Sequence, residues 1–500
     1  MPALKLNIIA AQRLAVRLLT FVLLASPVAT MQAGQKAAGQ SYDVVIIGGR
    51  VMDPESGLDA VRNVGIRNGK IAAITTAAIR GKNTVDAKGL VVAPGFIDLH
   101  AHGQDQENYH HDARDGVTTA LELEIGVADI DKFYSEREGK STVNFGATVG
   151  HVPLRMEMMH DPSLGRSIVP SGAATSQPAT DEQIEELKRG IEKGLERGAL
   201  GVGFGVQYVP AASRREILEM FRVAGKHKAV CFVHIRGMGL KEPNNSVQAL
   251  EEVIAASAIS GAPLHMVHVT SMGLRGTPVL LKMVEGARAH GLDVTTECYP
   301  YTAAMTDLAS AIFNEGWQEL MGISYGELQW AATGERLNAD TFAKYRQTGG
   351  MVIIHSIPEE MVKLALSTPF VLVASDGEMK NGIGHPRACG TFARVLAKYS
   401  REEKVLSLMD AIKKMSLMPA QRLERYAPMM KNKGRIKVGA DADITIFDPN
   451  RVTDKATFQQ PALDSEGIPY VLVNGVLVVK DGHLVDDVLP GRGVRAPVAQ

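Results

Sequence analysis

The sequence predicts an α/β fold: a (β/α)8 TIM-like barrel with a composite β-sandwich domain built from both ends of the chain. Between about residues 93 and 425, short apolar strands alternate with amphipathic helices. The 500 residues leave room for a barrel of roughly 250 residues or more and a second module. Both ends are β-rich, with hairpin turns at Asn68-Gly69 and Asn474-Gly475, which predicts the sandwich.

The barrel prediction depends on an alternation that is clearest in the middle of the chain. Residues 181–197 form a predicted helix, with four aliphatic residues at helical spacing and Asp181 as its N-cap. Further helices are predicted at 215–227 and 247–260, and strands at 198–204, 229–235 and 263–269. This rhythm is typical of a parallel sheet, so we place the barrel at 93–425 and the sandwich at 40–92 and 426–490.

The first 33 residues form a predicted secretory signal peptide. Lys5, Arg13 and Arg17 precede the apolar run at 18–25, and small residues follow it. The run is short for a membrane span, and an uncleaved N-terminal anchor is the alternative. We therefore expect an exported protein, periplasmic or secreted, whose three cysteines allow one disulfide at most.

The composition excludes several classes of function. The formal net charge is −1, charged residues make up 22% of the chain and apolar residues 45%, which is ordinary for a globular enzyme. The sequence has no basic stripe for nucleic acid. We expect a small-molecule substrate, no nucleic-acid partner and no stable membrane span after signal removal, while a homo-oligomer is left open.

The stretch from Leu90 to Gly103 carries the strongest functional signal. Its start is rich in Val and Ile and predicts a short buried strand, which ends in His100 and His102. Because alternate side chains of a strand share a face, both imidazoles point the same way. Neutral imidazole is a common zinc ligand, so the pair predicts half of a metal site.

Two glutamates on the next predicted strand could complete this site. Glu122 and Glu124 alternate with leucines and therefore share one face. A carboxylate at a strand end can bind or bridge divalent metals. Glu124 lies nearer the mouth and is the preferred bridging ligand, with Glu122 in reserve. The alternative is that both face water or a salt-bridge partner.

Several motifs resemble the amidohydrolase superfamily, and within it the N-acyl-D-amino-acid deacylases, which include D-aminoacylases and D-glutamate deacylases. Residues 94–102, PGFIDLHAH, are similar to the first-strand motif of the superfamily. Further segments resemble the deacylases or, at the C-terminal end, cyclic amidohydrolases as well: 150–155, 205–210, 297–303, 385–396 and 439–444. The resemblance implies a (β/α)8 barrel that works as a metal-dependent hydrolase.

The resemblance also implies the remaining residues of the metal site. His234 and His268 end two predicted strands and match the single histidines that the superfamily takes from its fifth and sixth strands. Asp376 ends the apolar strand that starts at 369 and matches the eighth-strand aspartate, which carries a proton to the leaving nitrogen. Together with the ligands predicted above, these histidines would hold one or two zinc ions.

The implied reaction is hydrolysis of the amide bond of an N-acyl-D-amino acid. Within the family, residues 120–124, ALELE, resemble the D-glutamate deacylases, which implies N-acyl-D-glutamate as a substrate. A metal-activated hydroxide would attack the acyl carbonyl, with an aspartate as proton shuttle. A substrate α-carboxylate would suit the guanidinium of Arg387 or Arg236, and Tyr208 and Tyr301 could hydrogen-bond the substrate or an oxyanion. The chain departs from D-aminoacylases, which place a metal-ligating cysteine near the position of Glu124.

Two other functions stay open at this point. The bridging glutamate resembles isoaspartyl dipeptidase, so a dipeptidase or a cyclic-amide hydrolase on the same scaffold is the rival among enzymes. From a different class, the chain could be a non-catalytic barrel that binds metal. Asp376 argues against this last reading, because a site without turnover needs no proton carrier.

Overall fold

Eight parallel strands form the central barrel of the computed structural model, which describes residues 41–499. The predicted signal peptide lies outside the described residues. Numbered barrel strands 1 to 8 in chain order, the strands are Phe96–Asp98, Val117–Val127, Asn144–Gly150, Val202–Gly205, Cys231–His234, Leu264–Met266, Val294–Cys298 and Val371–Val373. Nearly all of their residues are buried, as in parallel sheets that are covered on both faces.

The barrel closes between strands 1 and 8 through the segments that follow them. The backbone N–H of Ser375 donates to Oδ1 of Asp98 at 3.0 Å. The N–H of His102 donates to the carbonyl of Gly377, also at 3.0 Å. The carboxyl ends of all eight strands therefore open onto one mouth, which is where barrels of this kind hold their reactive groups.

Helices follow most of the barrel strands and cover their outer faces. The longer ones are Gln106–Arg114, Ile130–Arg137, His151–Met158, Asp181–Glu196, Arg214–Lys226, Ser246–Ser260, Thr277–Ala289, Ala339–Thr348, Glu359–Ser367, Arg387–Arg394, Leu408–Met415 and Leu417–Leu423. Short helices are Ala173–Ser176, Val269–Gly273 and Trp317–Met321. Among the helices of residues 41–499, none has the length and apolarity needed to cross a membrane.

The predicted N-cap at Asp181 is wrong by one residue. Oγ1 of Thr180 accepts from the N–H of Gln183 at 3.3 Å, and Oε1 of Gln183 accepts from the N–H of Thr180 at 2.9 Å. This reciprocal pair is a capping box. Asp181 occupies the first helical turn instead, where its carboxylate faces the positive end of the helix dipole.

Strands from both ends of the chain form one nine-stranded sheet, called here the terminal sheet. Its strands are Tyr42–Asp53, Leu58–Arg67, Lys70–Thr75, Gly81–Asp86, Val91–Pro94, Ile444–Phe447, Tyr470–Val473, Val476–Lys480 and His483–Leu484. The N- and C-terminal halves join where Val91–Pro94 pairs antiparallel with Ile444–Phe447. All but the short last strand contribute buried or partly buried apolar residues to one core. The predicted barrel with a composite β domain is confirmed.

The strand predicted to begin at Leu90 is two strands in two different sheets. Val91–Pro94 belongs to the terminal sheet and Phe96–Asp98 to the barrel. Gly95 joins them, and a Cβ atom there would collide with the side chain of Thr118. An apolar run predicts burial but cannot reveal such a change of sheet, because both halves are buried.

An insertion between barrel strands 7 and 8 was not anticipated from the sequence. It contains a three-stranded antiparallel sheet of Ala304–Asp307, Leu328–Trp330 and Met351–Ile354, called here the inserted sheet. A small hairpin of Met379–Lys380 and Ile383–Gly384 follows barrel strand 8. Both elements contribute side chains to the cavity at the barrel mouth.

Candidate metal centre

The side chains predicted to bind metal or carry a proton converge at the barrel mouth. They are His100, His102, Glu124, His234, His268 and Asp376. Their donor atoms form two overlapping groups, and within each group the atoms lie within 4.8 Å of one another. One group contains His100, His102, Glu124 and Asp376, and the other contains Glu124, His234 and His268. Each group could hold a metal ion, and Glu124 is common to both.

Glu124 directs one carboxylate oxygen towards each group of histidines. Oε2 lies 2.7 Å from Nε2 of His100 and 3.0 Å from Nε2 of His102. Oε1 lies 2.6 Å from Nδ1 of His234 and 3.5 Å from Nε2 of His268. A single carboxylate that faces two sets of imidazoles is the arrangement a bridging ligand between two metal ions requires.

Glu122, the reserve candidate, supports the centre from behind. Its Oε2 lies 2.7 Å from Nδ1 of His102, on the side of the ring that faces away from Glu124. Its Oε1 accepts the N–H groups of Ile125 and Gly126 at 3.1 and 3.2 Å. Because both oxygens are engaged, the geometry favours Glu124 over Glu122 as the bridging group.

The electrostatics of the centre suit a divalent cation. Burial would raise the pKa of Glu124, but His100 and hydrogen bonds from the other imidazoles lower it well below its usual value. Burial would also raise the pKa of Asp376, but Arg387 and His100 hold it below its usual range. Burial lowers the pKa of His234, which favours neutral imidazole. Burial alone would lower the pKa of His100 and His102, but the surrounding carboxylates raise it well above the usual value, so a bound cation would displace protons from these two rings. Ionised carboxylates and neutral imidazole are the forms that ligate metals.

Asp376 lies over the first pair of histidines and contacts an arginine on its other side. Oδ1 is 3.3 Å from Nε2 of both His100 and His102. Oδ2 is 3.0 Å from Nη1 of Arg387. Asp376 and His268 both have left-handed backbone, with φ of 54° and 31°. Non-glycine residues seldom adopt this conformation, and such strain clusters at functional sites where packing maintains it.

Glu297 is a site residue that sequence reasoning missed. Its Oε1 lies 2.6 Å from Nδ1 of His100, and its Oε2 lies 3.0 Å from Nε2 of His265. A carboxylate on Nδ1 fixes the ring orientation and leaves Nε2 directed at the centre. His265 contacts Glu297 from the other side. The position of Glu297 near the end of barrel strand 7 was the signal that could have identified it.

Two further polar side chains orient the remaining histidines. Oε1 of Gln207 lies 2.8 Å from Nε2 of His234, which leaves Nδ1 of that ring for Glu124. Oγ of Ser271 lies 3.0 Å from Nδ1 of His268, which leaves Nε2 free to face the centre. These contacts determine which ring nitrogen each histidine presents.

Glu297→Gln is expected to weaken metal binding about 10- to 100-fold, the usual cost of losing an outer carboxylate partner of a ligating histidine. A neutral amide accepts a weaker hydrogen bond from Nδ1 of His100, so the ring is less basic and less well oriented. Competition with a chromophoric chelator measures the affinity. Glu251→Gln, on the exposed face of helix Ser246–Ser260, is the control. Equal affinities in the two variants would contradict this role.

Two of the four predicted substrate contacts, Arg387 and Tyr208, line a cavity of about 750 Å³ above the centre. The guanidinium of Arg387 is buried 4.5 Å from the ring centroid of Tyr299. Its Nε has no hydrogen-bond partner among residues 41–499, and its Nη1 makes only the ion pair with Asp376. A buried guanidinium with unused donors is prepared to receive a carboxylate.

The other two predicted substrate contacts lie away from this cavity. Nη2 of Arg236 pairs at 2.9 Å with Oε1 of Glu252, which lies on the helix Ser246–Ser260, so the guanidinium contacts this helix and not the cavity. The hydroxyl of Tyr301 donates to the carbonyl of Pro386 at 3.3 Å, and its ring is buried. The structure therefore does not place Arg236 and Tyr301 in the cavity that Arg387 and Tyr208 line. A residue that follows a barrel strand lies near the barrel mouth, but this position does not determine the orientation of its side chain.

A model of the amidohydrolase family matches residues 165–479, more than half of the chain. A curated relative, the N-acyl-D-glutamate deacylase of Alcaligenes xylosoxydans xylosoxydans, is 30% identical over 487 residues, covering 88% of this chain and 94% of the relative. The chain belongs to the amidohydrolase family. The family predicted from the sequence motifs is therefore confirmed, and the protein is a hydrolase.

Two more comparisons relate this amidohydrolase to characterised proteins. The D-aminoacylase of the same organism is 29% identical over 488 residues, covering 88% of this chain and 95% of the relative. The crystal structure of N-acyl-D-glutamate deacylase from Bordetella bronchiseptica superposes with a TM-score of 0.77 and 26% identity, covering 91% of this chain and 100% of that one. That enzyme was crystallised with zinc and a phosphonate inhibitor that mimics the tetrahedral intermediate of its reaction.

Proposed function

We propose that this amidohydrolase hydrolyses the amide bond of N-acyl-D-amino acids at a centre for two zinc ions. The observation that carries the proposal is the position of Glu124, whose two oxygens face separate pairs of histidines beside Asp376 and Arg387. The deacylases that the chain resembles support the substrate class. N-acyl-D-glutamate is one member of that class.

The donor set fits zinc. Imidazole nitrogen and carboxylate oxygen are both common zinc ligands, and the two groups described above each offer at least two imidazoles and one carboxylate. Glu297, Gln207 and Ser271 provide the outer contacts that ligating histidines usually have. When bound, zinc would acidify a water molecule and polarise the acyl carbonyl.

Asp376 moves the proton in this proposal. Its carboxylate is ionised at neutral pH, and Oδ1 lies beside His100 and His102, where it would accept a proton from the attacking water. Because Oδ2 is engaged by Arg387, Oδ1 is the oxygen directed at the centre. As the carbon–nitrogen bond breaks, Asp376 returns the proton to the leaving nitrogen, which departs as the free amine.

Arg387 would bind the α-carboxylate and place the scissile amide over the centre. Arg387→Lys is expected to lower the preference for an N-acyl amino acid over an acyl amide that lacks the carboxylate about tenfold or more, since hydrogen bonds to charged groups contribute about 1.5–3 kcal/mol. The ratio of the two kcat/KM values measures this. Arg401→Lys, paired with Glu402 outside the cavity, is the control. An unchanged ratio in Arg387→Lys would refute the assignment.

The proposed reaction is tested by supplying the zinc-loaded chain with the D- and L-forms of an N-acyl amino acid and following free amine. Release from the D-form supports the proposal. Release only from β-linked dipeptides or from cyclic amides would favour the dipeptidase or cyclic-amide hydrolase instead. Metal binding without release from any of these amides would favour a non-catalytic barrel.

We further propose that residues 1–33 direct export to the periplasm or the medium. The support is the order of basic, apolar and small residues in that segment. The three cysteines, Cys231, Cys298 and Cys389, are buried and unpaired, so an oxidising compartment would not reach their thiols easily. Cell fractionation and the N-terminal sequence of the mature chain test this proposal.

A further inference from the structure

The cavity above the centre is larger than cleavage of a small acetyl amide requires. Its volume of about 750 Å³ lies in the upper part of the range of about 300–1,000 Å³ that is typical for drug-sized ligands. Asp376, Arg387 and the histidines occupy only part of the lining. The remaining lining is therefore available to contact another part of the substrate.

One wall of the cavity is apolar. It is formed by side chains at the end of barrel strand 2 and in the segments that follow strands 2 and 3, here called the acyl wall: Ile125, Val127, Phe133, Met156 and Val169. All except Val127 are buried, although the cavity reaches them. Barrel strand 3 lies across the closed eight-stranded sheet from strand 7, and Tyr299, which follows strand 7, contacts Arg387.

The apolar lining continues to the surface and around the cavity. Leu164 and Ile168, at the outer end of the acyl wall, are 45% and 40% exposed. Six of the 21 methionines of the chain line this cavity: Met156, Met238, Met272, Met305, Met321 and Met351. Methionine is unbranched and polarisable, so it adapts to flexible apolar ligands.

Charged groups away from the centre lie mainly at the rim. Lys132, Arg166 and Lys380 line the opening and are exposed. Among the cations of the described lining, Arg387 alone is buried. The deep part of the cavity can thus neutralise one substrate carboxylate, and the rest of its surface favours apolar groups.

We propose that the acyl wall binds a medium- to long-chain fatty acyl group, so that the preferred substrates are N-fatty-acyl amino acids. This inference rests on the proposed function. In such a substrate the carboxylate and the acyl chain lie on opposite sides of the amide. With the carboxylate at Arg387 and the amide over Glu124, the chain extends towards the acyl wall and leaves between Leu164 and Ile168.

The products follow from the balance of the reaction. A water oxygen bonds to the acyl carbon, the carbon–nitrogen bond breaks, and the nitrogen receives the proton carried by Asp376. A fatty carboxylate and a free amino acid result. The fatty carboxylate would fit the same wall, so it should also bind as a product.

The test compares N-acetyl, N-hexanoyl and N-decanoyl derivatives of one D-amino acid with the zinc-loaded full chain. Each methylene that the wall buries should raise kcat/KM about threefold to fourfold, so burial of about four of the eight additional methylenes already makes the decanoyl compound about a hundredfold better than the acetyl compound. Leu164→Asp and Ile168→Asp place a charge at exposed positions and should reduce this ratio about tenfold. Leu364→Asp, an exposed leucine outside the cavity, should leave the ratio unchanged.

The outcomes separate this inference from the proposed function. A flat or falling profile with acetyl turnover would overturn the fatty-acyl assignment and leave deacylation standing. Should no derivative release amine, the proposed function fails. Binding of decanoate to the wild type and to Leu164→Asp is then measured by calorimetry. Binding that is weaker in Leu164→Asp supports the acyl wall as a fatty-acyl site, and no binding to the wild type overturns it.

Discussion

Asp376→Asn is expected to reduce turnover about 10²- to 10⁴-fold, the usual contribution of a positioned acid–base group. The amide keeps the size and most contacts of the carboxylate but cannot accept a proton at neutral pH. The histidines and Glu124 are untouched, so the chain should still bind metal. Measurement of kcat together with metal content per chain tests both parts of this expectation.

Asp486→Asn is the matched control, because Asp486 is exposed and lies outside the cavity. It should leave both turnover and metal content unchanged. Wild-type turnover in Asp376→Asn would show that another group carries the proton, and the catalytic reading of barrel strand 8 would be wrong. Loss of metal together with turnover would make Asp376 primarily a ligand.

Glu124→Ala is expected to have the largest effect on the metal centre. It removes the oxygens that face both histidine groups, so metal affinity should fall by more than the 10- to 100-fold that outer-shell changes cause. Turnover should fall with it. Glu122→Ala removes the partner of Nδ1 of His102 and the acceptor of two backbone N–H groups, but no oxygen that faces the two histidine groups, so affinity should fall within that smaller range.

The zinc content per chain is measured by elemental analysis in the wild type and in both variants after the same dialysis. We expect two zinc ions per wild-type chain, fewer in Glu124→Ala and nearly the full content in Glu122→Ala. Wild-type metal content in Glu124→Ala would mean that the histidines hold the metal without this carboxylate. A larger loss in Glu122→Ala than in Glu124→Ala would reverse the roles assigned to the two glutamates.

The convergence of the candidate metal ligands was predictable because it depends on residue type at the end of a strand. Parallel strands in a barrel all end at one mouth, so His234, His268 and Asp376 had to come near His100 once each was placed at a strand end. Alternation along a strand was enough to put Glu122 and Glu124 on one face. The choice between these two glutamates needed distances.

Side-chain direction was less predictable than position. Arg236 follows a barrel strand as expected, but Glu252 on a neighbouring helix attracts its guanidinium away from the cavity. Glu297 was overlooked because its partners, His100 and His265, are distant in sequence and meet only through packing. The inserted sheet was not predicted either, because its strands are only three or four residues long and the alternation of strands and helices in a barrel does not include them.

The measurement that tests the central claim most directly is removal and return of metal. The chain is treated with a chelator, freed of it, and titrated with zinc while release of D-amino acid from an N-acyl-D-amino acid is followed. The account predicts that release stops without metal and returns as zinc approaches two per chain, and that Glu124→Ala does not recover. Full activity in the metal-free chain would contradict the account.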